Sequence, residues 1–477
     1  MISLTWNKVK TMISYFPKTI SERGILLYIL SLLIVSIAYL NYAMGFAFIM
    51  IGGVSVLLFF YGSTQLSNRW RLLSSKRYVY QLFWTAFFIR VVWVVFSYFF
   101  YIQQTGQPFE FEVGDSLAYH GEGEWLALEP WKNVFDYLFV NRSGYSDSGY
   151  CLYITFIYKI FGPNIIITRL LKAIYGAWMC VLVYKLTKRS INENIARMAG
   201  IFTMLMPNLI IYCGLHLKET EMLFLIVAFL ERADYVMRSK KYTFINIVLP
   251  ILLASSLFLF RTVLGAVALF SFVTALLFAP SNVIRKGRKI MIAIWVFLAL
   301  IVLAGGAIMN EIEETWQNRE ANQETKRLEQ TIRGNQWAKY ATGTVMAPMV
   351  FVLPFSTMVD TQQENQLVLH GGNFVRNFMG VFVMIAIINA LFIKKNWRNM
   401  ALIGSFVIGY LGVVSLSGFA NSERFLLPGL PCLIIFWAYG ISILNAKSYR
   451  FVKYWYVIVP IMEIGWAYFK IGSRGFL

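Results

Sequence analysis

Long apolar runs alternate with short polar breaks along this chain, and that pattern predicts helices that cross a membrane. The runs at 25–40, 291–304 and 378–393 are apolar and nearly uncharged, and a soluble domain does not carry such runs repeatedly. Their hydrophobicity is continuous. A lipid-facing strand would alternate at every second residue, so helices are selected over a barrel. Residues 25–61 read as a hairpin of two spans turning near Asn41-Tyr42. Further spans are predicted at about 80–102, 165–186, 195–213, 221–235, 245–260, 262–279, 290–309, 373–393, 400–416, 426–443 and 454–469. The result is an all-α polytopic membrane protein with about thirteen transmembrane helices, several of them short. The first apolar stretch begins near Gly24. It lacks a small-residue cleavage site and is followed at once by a second stretch, so it is expected to be a retained span rather than a signal peptide.

The polar breaks are not all simple loops. In the loop at 103–150, apolar residues recur at 131, 134, 135, 138 and 139 while Lys132 and Asp136 point elsewhere, the pattern of a helix lying in the membrane interface. Residues 150–161 are apolar but stop at Gly162-Pro163-Asn164. They are too short to span and read as an interfacial or re-entrant helix.

Composition agrees with this class: the chain is 58% hydrophobic and 14% charged. The net charge of +19 would suggest nucleic acid in a soluble protein, but its distribution argues for a membrane. More than half of the 43 Lys and Arg cluster in alternate connections, among them Lys8/Lys10/Lys18/Arg23, Lys185/Lys188/Arg189/Arg197 and Arg285/Lys286/Arg288/Lys289. By the positive-inside rule these connections face the cytoplasm. The loops at 103–150 and 310–372 hold most of the 24 acids and are therefore expected outside. The four cysteines fall in or beside apolar segments without paired spacing, so neither a disulfide framework nor a zinc ribbon is indicated.

Ionisable residues set at the ends of spans mark candidate chemistry, because a charge near hydrocarbon is costly unless it faces a cavity or a partner. Arg90 lies within an early span, and Asp115 stands just beyond it with Tyr119 one turn later. A carboxylate held at the interface can act as general base toward a hydroxyl. Glu110 and Glu112 are its nearest rivals. The break His216-Leu217-Lys218-Glu219-Thr220 supplies a lysine for a phosphate, and Glu219 with His216 leaves a shared divalent metal open. Arg261, Arg424 and Arg169 occupy other turns expected on the same side. Arginine suits phosphate because its planar fork grips oxygens in pairs.

The order of these features resembles the polyprenyl-phosphate-sugar glycosyltransferases of the GT-C superfamily. The motifs are the arginine span, Asp115 and Tyr119 in the first loop, the run Gly149-Tyr150-Cys151-Leu152-Tyr153 through Asn164, Thr168-Arg169-Leu170-Leu171, Leu217-Lys218-Glu219-Thr220, Leu259-Phe260-Arg261-Thr262, and Glu423-Arg424-Phe425-Leu426-Leu427-Pro428. The branch it is most similar to contains the protein O-mannosyltransferases and the lipid A aminoarabinose transferase. The adjacent Asp-Glu pair of the protein mannosyltransferases is missing from the first loop.

The resemblance implies a GT-C-like bundle with interfacial helices in the first outer loop. It also implies three regions: a basic lead and accessory hairpin at 1–79, a catalytic core at 80–443, and a C-terminal transmembrane segment and tail at 444–477. The implied donor is a polyprenyl-phosphate sugar, the acceptor a lipid, glycan or protein hydroxyl, with no cofactor required and no nucleic acid involved. Asp115 would be the base, and Tyr119, Lys218, Arg261, Arg424 and Arg169 would bind substrate. The implied site lies on the outer face of a bacterial cytoplasmic membrane.

Two other readings compete. A polymerase or ligase of lipid-linked glycans would use Arg319, Arg327, Arg333 and His370 in the later loop. A transporter of lipid-linked sugar would show related halves and polar residues at the midplane. The sidedness itself is testable. Single cysteines placed at Ser146 and Gln362 are expected to react with an impermeant thiol reagent added outside intact cells, and labelling only after the cytoplasmic side is opened would reverse the topology.

Overall fold

The computed structural model describes residues 13–141, 147–239, 243–278, 296, 349–394, 396–416 and 423–473. Among them the chain is helical throughout its regular structure, apart from one isolated bridge that pairs Ala43 with Val359. The long helices α1 (Lys18–Ala38), α2 (Phe46–Trp70) and α3 (Ser75–Thr105) come first, followed by the short α4 (Asp115–Leu128), α5 (Trp131–Asp136) and α6 (Ser148–Phe161). Next are α7 (Ile165–Ser190), α8 (Glu193–Leu205), α9 (Pro207–Ile211), α10 (Glu219–Arg238), α11 (Phe244–Phe260) and α12 (Thr262–Phe278). The later part contributes α13 (Glu364–Ile388), α14 (Ala401–Leu416), α15 (Glu423–Leu426), α16 (Leu430–Ser442) and α17 (Ala446–Ser473).

Seven stretches are long and apolar enough to cross a membrane: Lys18–Ala38, Phe46–Trp70, Ser75–Thr105, Ile165–Ser190, Glu364–Ile393, Trp397–Ser415 and Glu423–Ser442. Glu193–Leu205 with Pro207–Gly214, bent by 54°, brings the total to 8 if the pair is one span. This is fewer than the thirteen expected: the expected span at 454–469 lies in α17, which is not among them, and the other differences have separable reasons. Helix α10 carries Glu219, Glu221, Glu231 and Asp234 among its buried residues, too many charges for a simple span. Helices α11 and α12 have 17 residues each, about a turn short of the hydrocarbon thickness. The expected span at 290–309 lies outside the described residues apart from Val296, as do Arg319, Arg327 and Arg333.

The bend between α8 and α9 follows from Pro207, which has no N–H to give to the carbonyl four residues earlier, Thr203. A buried arginine repairs the loss. Arg90, on α3, donates from Nη2 to the Thr203 carbonyl at 3.3 Å and from Nη1 to those of Met204 at 3.4 Å and Ala86 at 3.1 Å. Its side chain is fully buried. Sequence analysis marks Arg90 as part of a site, whereas its geometry is that of a staple across a broken helix.

Side-chain caps fix where other helices begin. Ser74 accepts from the Arg77 N–H at the start of α3, Asn164 from Ile166 and Ile167 at the start of α7, and Asn192 from Ile195 at the start of α8. Each such cap stabilises its helix by about 1 kcal/mol. Helix α7 packs against α3, α8 and α10, while α13 packs against α2, α16 and α17. Helix α8 joins the two groups through α7, α2 and α16.

The hairpin α1–α2 is built into the bundle rather than attached beside it. The Tyr28 hydroxyl lies 2.8 Å from His370 Nε2, and the Phe60 and Phe378 rings meet edge to face at 5.0 Å. Helix α13 starts at Glu364 rather than 373, so His370 belongs to a buried helix and not to a loop. Polar residues do not end this helix because neighbours satisfy them: His370 Nδ1 is 2.6 Å from the Leu367 carbonyl, while Asn373 accepts from Asn208 at 3.0 Å.

Towards the other end of α10 from Glu219, about 20 Å away by helix rise, Arg189 of α7 binds Glu231 at 2.7 Å and Asp234 at 3.0 Å. Arg238 adds a second cation on Asp234 at 2.7 Å. This network clamps α7 to α10 and leaves their opposite ends for other uses.

Close helix contact depends on small residues. A Cβ built on Gly440 of α16 would lie 2.1 Å from the Phe382 carbonyl oxygen of α13, whereas one on Gly465 of α17 meets nothing within 4 Å. Gly440→Ala is therefore expected to destabilise the fold by about 2 kcal/mol through overpacking. Gly465→Ala should be neutral or stabilising by up to about 1 kcal/mol through helix propensity. Thermal unfolding in detergent micelles checks the pair, and equal melting temperatures would contradict the packing argument.

Candidate functional site

Asp115 opens α4, where the preceding Gly114 takes a non-helical conformation (φ −139°, ψ −74°) and lets the chain turn sharply into the helix. Its side chain is 56% exposed and accepts through Oδ2 from Arg424 Nη1. The same guanidinium donates through Nε to Glu219 Oε1. Glu219 is the first residue of α10 and is fully buried, so the carboxylate also meets the positive end of that helix. One arginine from α15 thus joins the first loop to the start of α10.

Lys218, the residue before α10, is 3% exposed and forms an ion pair with Asp147, the residue before α6. Its Nζ also donates to the Phe260 carbonyl at 3.3 Å, at the end of α11. Burial lowers the Lys218 ammonium to about 7, with the neighbouring Arg261 charge pushing the same way and Glu219 opposing.

Arg261 stands in the turn between α11 and α12, its guanidinium 4.6 Å above the Phe425 ring. The Arg261 Nη1 atom is buried without a hydrogen-bond partner. The turn comes close because Gly149 at the start of α6 has no side chain: a Cβ there would lie 2.9 Å from Leu259 Cβ and 3.1 Å from the Leu259 carbonyl carbon.

Tyr119 follows Asp115 by one turn and is buried, its ring edge to face with Tyr150 at 4.9 Å. Burial first, and then the Glu219 charge, push its phenol upward, so it remains a hydrogen-bond donor. The structure therefore gathers Asp115, Tyr119, Lys218, Glu219, Arg261 and Arg424 at one end of the bundle from four separate stretches of sequence.

Two sequence candidates lie elsewhere. Arg169 of α7 is fully buried, donates to the Pro108 carbonyl and stands beside Glu110, so it secures the segment leading into α4. Glu110 itself accepts from the Ser116 hydroxyl and is buried beside Arg169. His216 belongs to a hydrogen-bonded chain. His120 Nδ1 lies 2.7 Å from the Tyr158 hydroxyl, that hydroxyl 3.4 Å from His216 Nε2, and His216 Nδ1 3.3 Å from Thr168 Oγ1. Burial lowers the His120 imidazole below its ordinary value, so its neutral form is favoured. His216 and Glu219 thus face different partners, and among the described residues no three His, Cys, Asp or Glu side chains gather in one cluster.

Sequence reasoning missed Lys172 and Asp147. Lys172 lies within α7, fully buried, with Nζ 2.9 Å from the Leu215 carbonyl, on the Leu217 carbonyl, 3.6 Å from Glu221 Oε2 and 5.3 Å from the Tyr150 ring centre. It satisfies carbonyls in the break between α9 and α10 and so sets where Lys218 stands. A lysine inside an apolar span was a usable signal. Asp147 carried none, being one acid among several in its loop.

Comparison with protein-family models finds no match, and comparison with curated proteins finds none either. The chemistry rests on the arrangement itself: an exposed carboxylate held by an arginine, beside a buried lysine before α10 and a half-buried arginine in the α11–α12 turn.

Proposed function

We propose that this protein is a membrane glycosyltransferase that moves a sugar from a polyprenyl-phosphate donor to an acceptor hydroxyl on the outer face of a bacterial cytoplasmic membrane. The observation that carries the reading is the meeting of Asp115, Arg424, Lys218 and Arg261 at one end of the bundle. A lipid phosphate at that end of apolar helices needs cations that are already desolvated and fixed, and Lys218 and Arg261 meet that need from two directions. The resemblance to GT-C enzymes supports the same assignment of roles, and a GT-C-like bundle of about thirteen spans remains the architecture it implies.

The reaction needs no nucleotide, because the sugar is already activated by its bond to phosphate. Arg424 holds one oxygen of Asp115 and leaves the other for a hydroxyl. Asp115 takes the hydroxyl proton as the acceptor oxygen bonds to the anomeric carbon. The bond from that carbon to the phosphate oxygen breaks, the configuration inverts, and the leaving phosphate gains a negative charge. Lys218 and Arg261 stabilise that charge, which is larger in the transition state than in the bound donor.

Two measurements test this. Purified protein incubated with a panel of polyprenyl-phosphate sugars should release free lipid phosphate. Asp115→Asn should lower turnover by about 10²-fold or more while Glu129→Gln changes little, and equal turnover for wild type and Asp115→Asn would exclude the assigned base.

The second concerns pH. A cation lowered to about 7 is charged below that pH and neutral above it, whereas the donor, a phosphate diester, holds one negative charge throughout. Donor affinity should therefore fall as pH rises through about 7 in wild type, and this fall should vanish in Lys218→Arg, which stays charged. A fall of the same size in both proteins would remove Lys218 from donor binding.

A further inference from the structure

In this end of the bundle Arg424, Lys218, Arg261 and Lys172 face Asp115, Glu219, Asp147 and Glu221. Cations and carboxylates are matched in number. A phosphate that enters adds a further negative charge, which repels the carboxylates held close to it. The carboxylate least firmly held is the first to give way.

Three of the four acids are poorly suited to leave. Glu219 is fully buried and held by Arg424 at the start of α10. Glu221 is buried on the same helix beside Lys172. Asp115 is held by Arg424 and is the assigned base.

Asp147 is 32% exposed, unlike Glu219 and Glu221, and it differs from all three in preceding α6 instead of lying within a helix and in its backbone φ of +72°, a left-handed conformation unusual for a residue other than glycine. It pairs with Lys218, whose other hydrogen bond goes to the Phe260 carbonyl.

We propose that the Asp147 carboxylate is a resident stand-in for the substrate's phosphate, occupying Lys218 in the empty site and displaced from it when a phosphate ester binds. This rests on the functional reading above and adds to it a residue that sets affinity by competition. An acid that faces Lys218 then weakens binding of the anion, and the ammonium is kept partnered between turnovers instead of being left buried and alone. Release of the product phosphate is eased in turn, since the returning carboxylate replaces it.

Direct binding of farnesyl phosphate to the detergent-solubilised full chain, by calorimetry, provides the test, with inorganic phosphate as a second arm. Asp147→Asn keeps the shape and tolerates a left-handed backbone, and Asp147→Gly removes both the charge and the backbone restriction. Both variants should bind farnesyl phosphate at least about 10-fold more tightly than wild type, and inorganic phosphate should gain in the same direction because the competition is at the anion. Asp147→Asn combined with Lys218→Ala should show no gain over Lys218→Ala alone. Wild-type binding that weakens in Lys218→Ala but is unchanged or weaker in both Asp147 variants would overturn the stand-in while leaving the phosphate site in place. Indifference of farnesyl phosphate binding to Lys218→Ala and Arg261→Ala would overturn the phosphate site, and the stand-in with it.

Discussion

A single guanidinium shared between two carboxylates governs the geometry of the site. Arg424 reaches Asp115 at the start of α4 and Glu219 at the start of α10, so a late helix fixes the distance between two early ones. Arg424 is itself held from behind. Its neighbour Glu423 accepts from Asn208 of α9, which also donates to Asn373 of α13 at 3.0 Å. Removing one member of such a buried group leaves the others desolvated and unpartnered, which costs more than the pair contributes when intact.

Two other buried cations serve the backbone instead of a ligand. Arg90 donates to carbonyls at the end of α8, and Lys172 to carbonyls between α9 and α10. Both lie where a helix is interrupted inside the bundle, and interruption at that depth is tolerated only when the released backbone groups find partners. The break is therefore a built feature. By ending one helix and starting another within the bundle, it places Lys218 and Glu219 at a helix N-terminus that faces α4, α6 and the α11–α12 turn.

The two ends of α10 illustrate a division of labour. At one end Glu231 and Asp234 are paired with Arg189 and Arg238, which ties α7 to α10. At the other end Arg261 keeps a terminal nitrogen without a partner, and Lys218 is held by an acid on a strained stretch of backbone.

What the sequence by itself determined is the class of the molecule. Hydrophobic continuity gave helices rather than strands, and it placed α3, α7, α14 and α16 to within a few residues, because a span must be apolar over a fixed length whatever it packs against. It also singled out Asp115, Lys218, Glu219, Arg261 and Arg424, since charges at span ends are costly and therefore few, with Tyr119 one turn after Asp115. Tertiary structure decided the rest. Whether a buried arginine binds substrate or a broken backbone depends on which carbonyls lie within reach, so Arg90 and Arg169 became staples while Arg424 became a bridge. Whether a polar stretch ends a helix depends on partners from elsewhere, so α13 began at Glu364 once Tyr28 and Asn208 were there to satisfy His370 and Asn373. Lys172 and Asp147 acquired their roles from residues distant in sequence, and no local pattern encodes that proximity.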